Sequence, residues 1–309
     1  MQETMQEIVR WLEQITGFPV DTKQIILIGL TPLFLGAFFV EWRVMLKRGQ
    51  DKYFKGQLMP ILTNMNLGAA YQAFELVVHA FIFMAAMHWV YDQRFYDVPV
   101  NGWTIVPLFI LLEFCYYVFH RTSHRVRWFW LNHSVHHSAT QYNLSTAYRL
   151  GWTGKLTGAA VFFGPLVWLG FPVPYVVGAL ALNLLYQYWL HTELVPRLPR
   201  PVEFVFNTPS HHRVHHASNP EYLDCNYGGV LIVFDRLFGT CRDERPDVPI
   251  RYGLVDPVHS YNPVTIAFHA WVKLARDLRR ARGVRQVAMT LFGPPGYIPG
   301  SAKKVRPGH

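Results

Sequence analysis

Four stretches that are nearly free of charged residues constrain the fold of this chain more than any other feature. They are residues 24–40, 58–90, 102–119 and 156–190. The first and the last carry no charged residue, and the other two carry one glutamate each, Glu75 and Glu113. Because a helix needs ~20 apolar residues to cross a bilayer, these lengths predict an integral membrane protein. The alternative is a soluble protein with several buried helices.

Basic residues gather where a membrane protein carries them. The formal net charge is +9, which taken alone is compatible with nucleic-acid binding. Lysine and arginine, however, concentrate beside the apolar stretches and towards the C-terminal end, where such residues contact anionic lipid headgroups. We therefore predict a membrane partner and no nucleic acid.

Charge asymmetry between two loops predicts the orientation in the membrane. Five basic residues between Arg43 and Lys55 stand against one aspartate, whereas residues 91–100 carry one arginine and two aspartates. By the positive-inside rule, the first of these loops is cytoplasmic. The apolar stretch at 102–119 then runs back inward and ends at His120.

The apolar stretch at 156–190 is too long for one straight span. Gly164-Pro165, Pro172 and Pro174 interrupt it, and proline breaks or kinks a helix. We predict a hairpin of two helices with the prolines at its tip, which brings His191 to the same cytoplasmic face as His120.

These features divide the chain into four parts. Residues 1–23 carry charges at amphipathic spacing, which predicts a surface helix rather than a signal peptide, and residues 24–119 hold the membrane spans. Residues 120–275 form a histidine-rich region, predicted to be catalytic, that includes the hairpin, and residues 276–309 form a basic tail. The predicted fold is all-α, an integral membrane helical bundle of about three full spans and a proline-broken hairpin, with a histidine-rich cytoplasmic cap.

Ten of the 15 histidines fall between His120 and His216. They occur as "HRTSH" (His120, His124), "HSVHH" (His133, His136, His137), an isolated His191, and "HHRVHH" (His211, His212, His215, His216). On a helix, residues three and four apart share a face, so HxxxH presents two imidazoles together and HxxHH presents three. Asn207 or Thr208 can cap the last motif, with Pro209 in the first turn. His212, His215 and His216 then point one way.

Such an array of imidazoles predicts metal binding. Neutral imidazole binds zinc, copper, iron and nickel, and one zinc needs about four ligands, so the number of histidines favours two metals. A loose surface metal trap would not place its histidines at helical ligand spacing. The HExxH pattern of zinc proteases is absent, and the three cysteines form no CxxC pair. The outlying histidines are predicted to be structural: His79, His88, His259 and His269.

The order of these motifs, followed by "NYGG" at 226–229, resembles the fatty acid hydroxylase and sterol desaturase superfamily of membrane enzymes with a histidine-bound di-iron centre. The stretches "QYNLSTAYR", "LLYQYWLHTELV" and "NYGGVLIVFDRLFGT" look most like its alkylglycerol monooxygenase branch. The likeness covers roughly residues 113–269.

This resemblance implies a set of iron ligands and supporting residues. The implied ligands are His120, His124, His133, His136, His137, His191, His212, His215 and His216. His211 is expected to support the site from outside the ligand set, and Asn226 to orient a ligand or a bound water. Glu193 and Asp224 lie beside the motifs and could supply charge or hydrogen bonds to the ligands, although surface roles are equally open for them.

The function implied is hydroxylation of a C–H bond in a lipid alkyl or acyl chain, with two iron ions, O2 and an external reductant. The site is expected on the cytoplasmic face of a bacterial inner membrane or endoplasmic reticulum. Animal alkylglycerol monooxygenases carry a glutamate where Arg125 follows HxxxH, so the reductant is open between a pterin and a redox protein. A sterol or carotenoid desaturase of the same superfamily is one alternative function. A metal transporter, with ligands spread through the depth of the membrane, is another.

Overall fold

The computed structural model describes residues 29–49, 58–78 and 82–301. Within them the secondary structure is helical, with two isolated β-bridges and no strand, which confirms the all-α prediction. The α-helices are α1 (Thr31–Lys47), α2 (Leu58–Val78), α3 (Met84–Asp92), α4 (Gly102–Arg125), α5 (Arg127–His137), α6 (Gly164–Trp168), α7 (Val173–Tyr188), α8 (Arg200–Val205), α9 (Pro209–His215), α10 (Val233–Leu237), α11 (Pro263–Arg280) and α12 (Gly283–Phe292). The predicted surface helix at 1–23, His79 and the end of the basic tail lie outside the described residues.

Helix α4 is the element that leads from the apolar part of the chain to the histidines. Among the described residues it alone is long and apolar enough to cross a membrane. Its start is fixed by Asn101, whose side chain accepts hydrogen bonds from the backbone N–H groups of Trp103 and Thr104, as expected of an N-cap. Its last turns carry His120 and His124, so the same helix that is lined with apolar residues ends in the metal-binding motif.

The hairpin at 156–190 has limbs of unequal regularity. Its first limb contains a short 3-10 helix, Ala159–Phe162, and the five-residue helix α6, whereas its second limb is the 16-residue helix α7. The chain reverses at Gly170, whose φ of 111° favours glycine. A Cβ there would also lie 1.7 Å from the carbonyl oxygen of Tyr96. The predicted turn at the prolines is therefore present, although only the second limb is a long helix.

Two buried contacts fix the ends of α4 and α5. Arg127, in the first turn of α5, forms a buried ion pair of 2.6 Å with Asp277 of α11, and its backbone N–H donates to the carbonyl oxygen of Gly293. Because α5 begins two residues after α4 ends, this anchor sets the angle at which the two histidine-bearing helices meet.

Glu113 joins the middle of α4 to the segment 226–231. Its carboxylate accepts hydrogen bonds from the backbone N–H groups of Val230 (2.8 Å) and Leu231 (2.9 Å) and from the side chain of Asn183 in α7 (2.6 Å). The glycine pair of "NYGG" follows from the same packing, because a Cβ on Gly229 would lie 2.1 Å from Nδ2 of Asn183. This buried glutamate therefore holds three segments together.

Candidate metal centre

Four segments bring the predicted ligands to one place. Helix α4 contributes His120 and His124, α5 contributes His133, His136 and His137, and His191 follows the end of α7. Helix α9 contributes His212 and His215, and its C-cap residue is His216. Its N-cap is Thr208, whose hydroxyl accepts from the backbone N–H of His211, with Pro209 in the first turn. All nine histidines expected as ligands converge.

The nine imidazoles form two groups. The five-histidine group consists of His120, His124, His133, His137 and His215. The four-histidine group consists of His136, His191, His212 and His216. Within each group, one nitrogen from every ring lies within 4.8 Å of the others. This arrangement matches the prediction of two metal positions, each surrounded by imidazole nitrogens.

Each HxxHH motif divides its histidines between the two groups. His212 and His216 face the four-histidine group, whereas His215 faces the five-histidine group. The expectation that His212, His215 and His216 point one way is therefore wrong for His215. On an α-helix, residue 216 is rotated by about 40° from residue 212, and residue 215 is rotated by about 60° in the opposite direction, so His215 and His216 lie about 100° apart. Helix α5 divides His136 from His133 and His137 in the same way.

Main-chain oxygens fix the orientation of several rings. Four imidazoles have Nδ1 within hydrogen-bond distance of a backbone carbonyl oxygen. The pairs are His120 with Tyr227 (2.8 Å), His215 with Cys225 (2.8 Å), His191 with Gln187 (2.9 Å) and His136 with Arg149 (3.2 Å). A carbonyl can only accept, so Nδ1 carries the proton and donates it. The lone pair of Nε2 is then directed away from the carbonyl, as in a metal-ligating histidine.

The Nε2 atoms point at one another across the interior of each group. In the five-histidine group, Nε2 of His133 lies 2.9 Å from that of His120 and 3.1 Å from that of His137. In the four-histidine group, Nε2 of His191 lies 3.1 Å from those of His136 and His212. In the pair of His136 and His191 both Nδ1 atoms hold the ring proton, so the facing Nε2 lone pairs have no proton to share, and a cation between them would supply the missing partner.

Burial keeps these rings in the neutral form that metals require. It lowers the pKa of His136 to about 4 and the pKa values of His212 and His216 well below the usual range. Neighbouring imidazoles lower the pKa of His212 and His216 further. A buried nitrogen-rich site of this kind fits two divalent iron ions by donor type and number, and copper or zinc would share the same preference for imidazole.

Asp224 is the predicted supporting carboxylate that lies nearest the ligands. Its Oδ1 is 4.0 Å from Nδ1 of His124, and its Oδ2 accepts from Arg125 at 3.0 Å. Burial raises the pKa of Asp224, and the Arg125 guanidinium partly offsets that rise. Asp224 and Asn226 both have positive φ, 59° and 56°. The left-handed backbone conformation on either side of Cys225 directs the carbonyl oxygen of Cys225 towards Nδ1 of His215.

Asn226 and Glu193 are linked to the histidine groups through other residues. The Asn226 amide donates to the carbonyl oxygens of His211 (3.0 Å) and Arg242 (2.8 Å), so it braces the backbone of α9 rather than an imidazole. Glu193 accepts from the hydroxyl of Tyr252 at 3.0 Å. Tyr252 stacks on Tyr142, whose ring packs against His216.

His211 stands apart from both groups. Its Nδ1 lies 3.4 Å from Oε2 of Glu203, and its Nε2 lies 3.8 Å from Oδ1 of Asp243. The ring therefore faces away from the nine converging imidazoles, as its exclusion from the predicted ligand set requires.

Sequence reasoning missed several residues that position the ligands. The ring of Trp130 packs against His124 and His137, and the ring of Tyr252 stacks on Tyr142, which itself packs against His216. The carbonyl groups of Arg149 and Gln187 hold imidazoles but leave no trace in the sequence, because every residue type carries a carbonyl. Trp130 offered a signal, since it lies three residues before His133 on the same helix face.

Comparison with known proteins identifies relatives that carry lipid-modifying activities. A family model described as fatty acid hydroxylase matches residues 105–240. The chain is 34% identical over 275 residues to alkylglycerol monooxygenase of Homo sapiens, covering 88% of this chain and 60% of that protein. It is 37% identical over 213 residues to the Xenopus tropicalis enzyme of the same name, covering 69% and 47%. An ornithine lipid hydroxylase of Rhizobium tropici is 30% identical over 151 residues, covering 48% and 45%.

The matched family region contains all nine converging histidines. A fatty acid hydroxylase family model thus matches residues 105–240, and the chain is similar to the alkylglycerol monooxygenases over most of its length, which confirms the resemblance carried by the motifs. The alignment spans 60% of the human protein's own length. No solved structure matches the chain.

Proposed function

We propose that this protein is a membrane-bound, non-haem di-iron oxygenase that hydroxylates a C–H bond in a lipid alkyl or acyl chain. The observation that carries the proposal is the convergence of nine buried imidazoles in two adjacent groups. Two irons bound there would supply the activation of O2 that oxidation of an unactivated C–H bond requires. The names of the relatives, a monooxygenase of alkylglycerols and a hydroxylase of ornithine lipids, support a lipid substrate.

The residues of the chain have three tasks in this reaction. The nine imidazoles hold the metals, and the backbone carbonyls at Tyr227, Cys225, Gln187 and Arg149 fix their tautomers. The stacked pair of Tyr142 and Tyr252 covers the four-histidine group on one side. Such aromatic cover limits the access of water, which protects the reactive site from wasteful reduction.

We propose that the site lies on the cytoplasmic side of a membrane crossed by α4. Arg121, Arg125 and Arg127 flank the histidine end of α4, whereas Asp92 and Asp97 precede its other end. The positive-inside rule favours the histidine end on the cytoplasmic face. The further parts of this topology, about three full spans in all and a membrane-embedded hairpin at 156–190, belong to the same proposal.

Glutamates within the apolar stretches fit structural roles in this scheme. Glu113 accepts hydrogen bonds from two backbone N–H groups, as described above, and Glu75 pairs with Lys155 at 2.9 Å. A transporter would use such groups, with its histidines, as a path through the membrane. The compact arrangement of the imidazoles in two touching groups favours an enzyme instead.

Lipid analysis tests the proposed reaction. Membrane lipids from cells with and without the gene are compared by mass spectrometry, with a His216→Ala variant as the inactive control. A gain of one oxygen in a lipid class supports hydroxylation. Loss of two hydrogens indicates a desaturase, and no change in any lipid, with iron present in the purified protein, contradicts both.

The reductant is tested separately, because the sequence departs from the alkylglycerol monooxygenase pattern at Arg125. Arg125 pairs with the buried Asp224 next to His124. We propose that an external donor, either a reduced pterin or a redox protein, supplies the electrons. Purified protein is given each donor class with O2 and lipid, and the donor that supports product formation identifies the class.

A further inference from the structure

The first imidazole of "HHRVHH" faces a separate set of ligand-type atoms. A ring nitrogen of His211, Sγ of Cys241 and a carboxylate oxygen of Asp243 lie within 4.8 Å of one another. The His211 side chain is 1% exposed, and its Nε2 has no hydrogen-bond partner among the described residues. Because a buried polar atom without a partner costs free energy, this nitrogen points to a ligand that completes its surroundings.

In His211 and Asp243, the polar atom that does not face the cluster already has a partner. Nδ1 of His211 lies 3.4 Å from the Glu203 carboxylate, which favours the tautomer with the proton on Nδ1 and the lone pair on Nε2. Oδ2 of Asp243 accepts from Arg197 at 2.8 Å, which leaves Oδ1 facing His211 at 3.8 Å. In metal sites, a ligating histidine usually donates a hydrogen bond from its other ring nitrogen to a carboxylate or carbonyl group. A ligating carboxylate usually accepts a hydrogen bond from a neighbouring donor.

We propose that His211, Cys241 and Asp243 bind a zinc ion, with water as the fourth ligand. Thiolate, imidazole and carboxylate are the three protein ligand types of zinc, and a set of three with one open position is common. The sulfur distinguishes this site from the all-imidazole iron groups, because soft thiolate favours zinc over iron. On binding, the Cys241 thiol releases its proton to solvent. Solvent reaches this site because the side chain of Asp243 is half-exposed.

Zinc at this site would clamp α9 to the segment that follows α10. That segment already contacts α9 through Glu244, which accepts from Ser210 (2.8 Å) and Arg213 (2.7 Å). A metal bridge between His211 and Cys241 adds a stronger link beside His212. The zinc site is independent of the proposed oxygenase function, since none of its ligands belongs to the nine-histidine set.

The test measures metal content and a spectroscopic signal in the full-length, iron-loaded protein. After incubation with zinc and removal of weakly held ions, we expect about one zinc per chain, and none in Cys241→Ser. Cobalt in place of zinc should give a sulfur-to-cobalt charge-transfer band that is lost in the same variant. Cys115→Ser, which alters another half-buried thiol, is the matched control and should keep both zinc and band.

Iron content distinguishes the zinc site from the proposed di-iron centre. Cys241→Ser should retain its iron, so a loss of zinc alone supports a distinct site. Glu203→Gln should weaken zinc binding by ~10–100-fold without removing a ligand. Wild-type protein that takes up no more zinc than Cys241→Ser, or that shows no thiolate-to-cobalt band, overturns the proposal whether or not the variants fold.

Discussion

The imidazole of His137 stacks on that of His216, with ring centroids 4.4 Å apart and an angle of 20° between their planes. His137 belongs to the five-histidine group and His216 to the four-histidine group. The two groups are therefore in direct contact, and a change at one is expected to affect the other through these rings.

Alanine at His216 should abolish turnover and remove metal mainly from the four-histidine group. That group keeps only three imidazoles after the change, so we expect the iron content to fall from about two to about one per chain. Alanine at His215 should also abolish turnover but retain more iron, because four imidazoles remain in its group. Elemental analysis and lipid turnover measure both effects, and His259→Ala, an exposed histidine, is the control. Full activity of His215→Ala would contradict the di-iron proposal.

Alanine at His211 should leave iron bound and some activity intact. This ring lies outside both groups, and loss of a supporting residue typically costs ~10–100-fold rather than all activity. Iron content and turnover of the purified variant decide the matter. If activity is abolished and the iron content falls as far as in His216→Ala, His211 is itself an iron ligand.

Acid should destabilise the metal-free protein as the pH falls from 6.5 towards 4. Burial lowers the folded-state pKa of His136 from 6.5 to about 4, so its neutral form stabilises the fold above pH 6.5. That contribution, on the order of 3 kcal/mol, is lost as the pH falls through the folded-state value, because the unfolded chain binds the proton first. Chemical unfolding of chelator-treated protein across this range measures it. A free energy of unfolding that stays flat between pH 6.5 and 4 would contradict the prediction.

Alanine at Gly229 should destabilise the protein, whereas alanine at Gly178 should not. A Cβ at Gly229 would meet Nδ2 of Asn183 at 2.1 Å, whereas one at Gly178 meets nothing within 4 Å. Overpacking typically costs ~1–3 kcal/mol, and alanine in a helix gains up to ~1 kcal/mol over glycine. The midpoint temperature of thermal unfolding in detergent should therefore fall for Gly229→Ala and rise for Gly178→Ala. Equal midpoints would mean that Asn183 can move aside without cost.

The pair and the two triads of histidines could be predicted from their spacing, because that depends only on local helix geometry, whereas the inclusion of the isolated His191 was implied by the family resemblance. HxxxH and HxxHH place imidazoles on adjoining faces wherever the segment is helical. The assignment of His215 to a different group from His212 and His216 could not be predicted in the same way. It depends on how α9 packs against α4, α5 and the segment after α7, through long-range contacts such as the hydrogen bonds from Arg213 to the carbonyl oxygens of Thr192 and Val195.

The fold could also be predicted only in part. Uncharged stretches and prolines indicated helices and a reversal near Pro172, and both are present. The irregular first limb of the hairpin could not be foreseen, because apolar composition alone does not distinguish a long helix from short turns that pack into the same core. The role of Glu113 was equally hidden, since its partners Val230 and Leu231 lie more than a hundred residues away along the chain.

The carbonyl anchors of the imidazoles have a consequence for how such a site can evolve. Four of the rings are oriented by main-chain oxygens, at Tyr227, Cys225, Gln187 and Arg149. A point mutation replaces a side chain but keeps the carbonyl, so these anchors persist when the residues that bear them are exchanged. Neighbouring side chains are then free to vary while the orientation of the imidazoles is inherited unchanged.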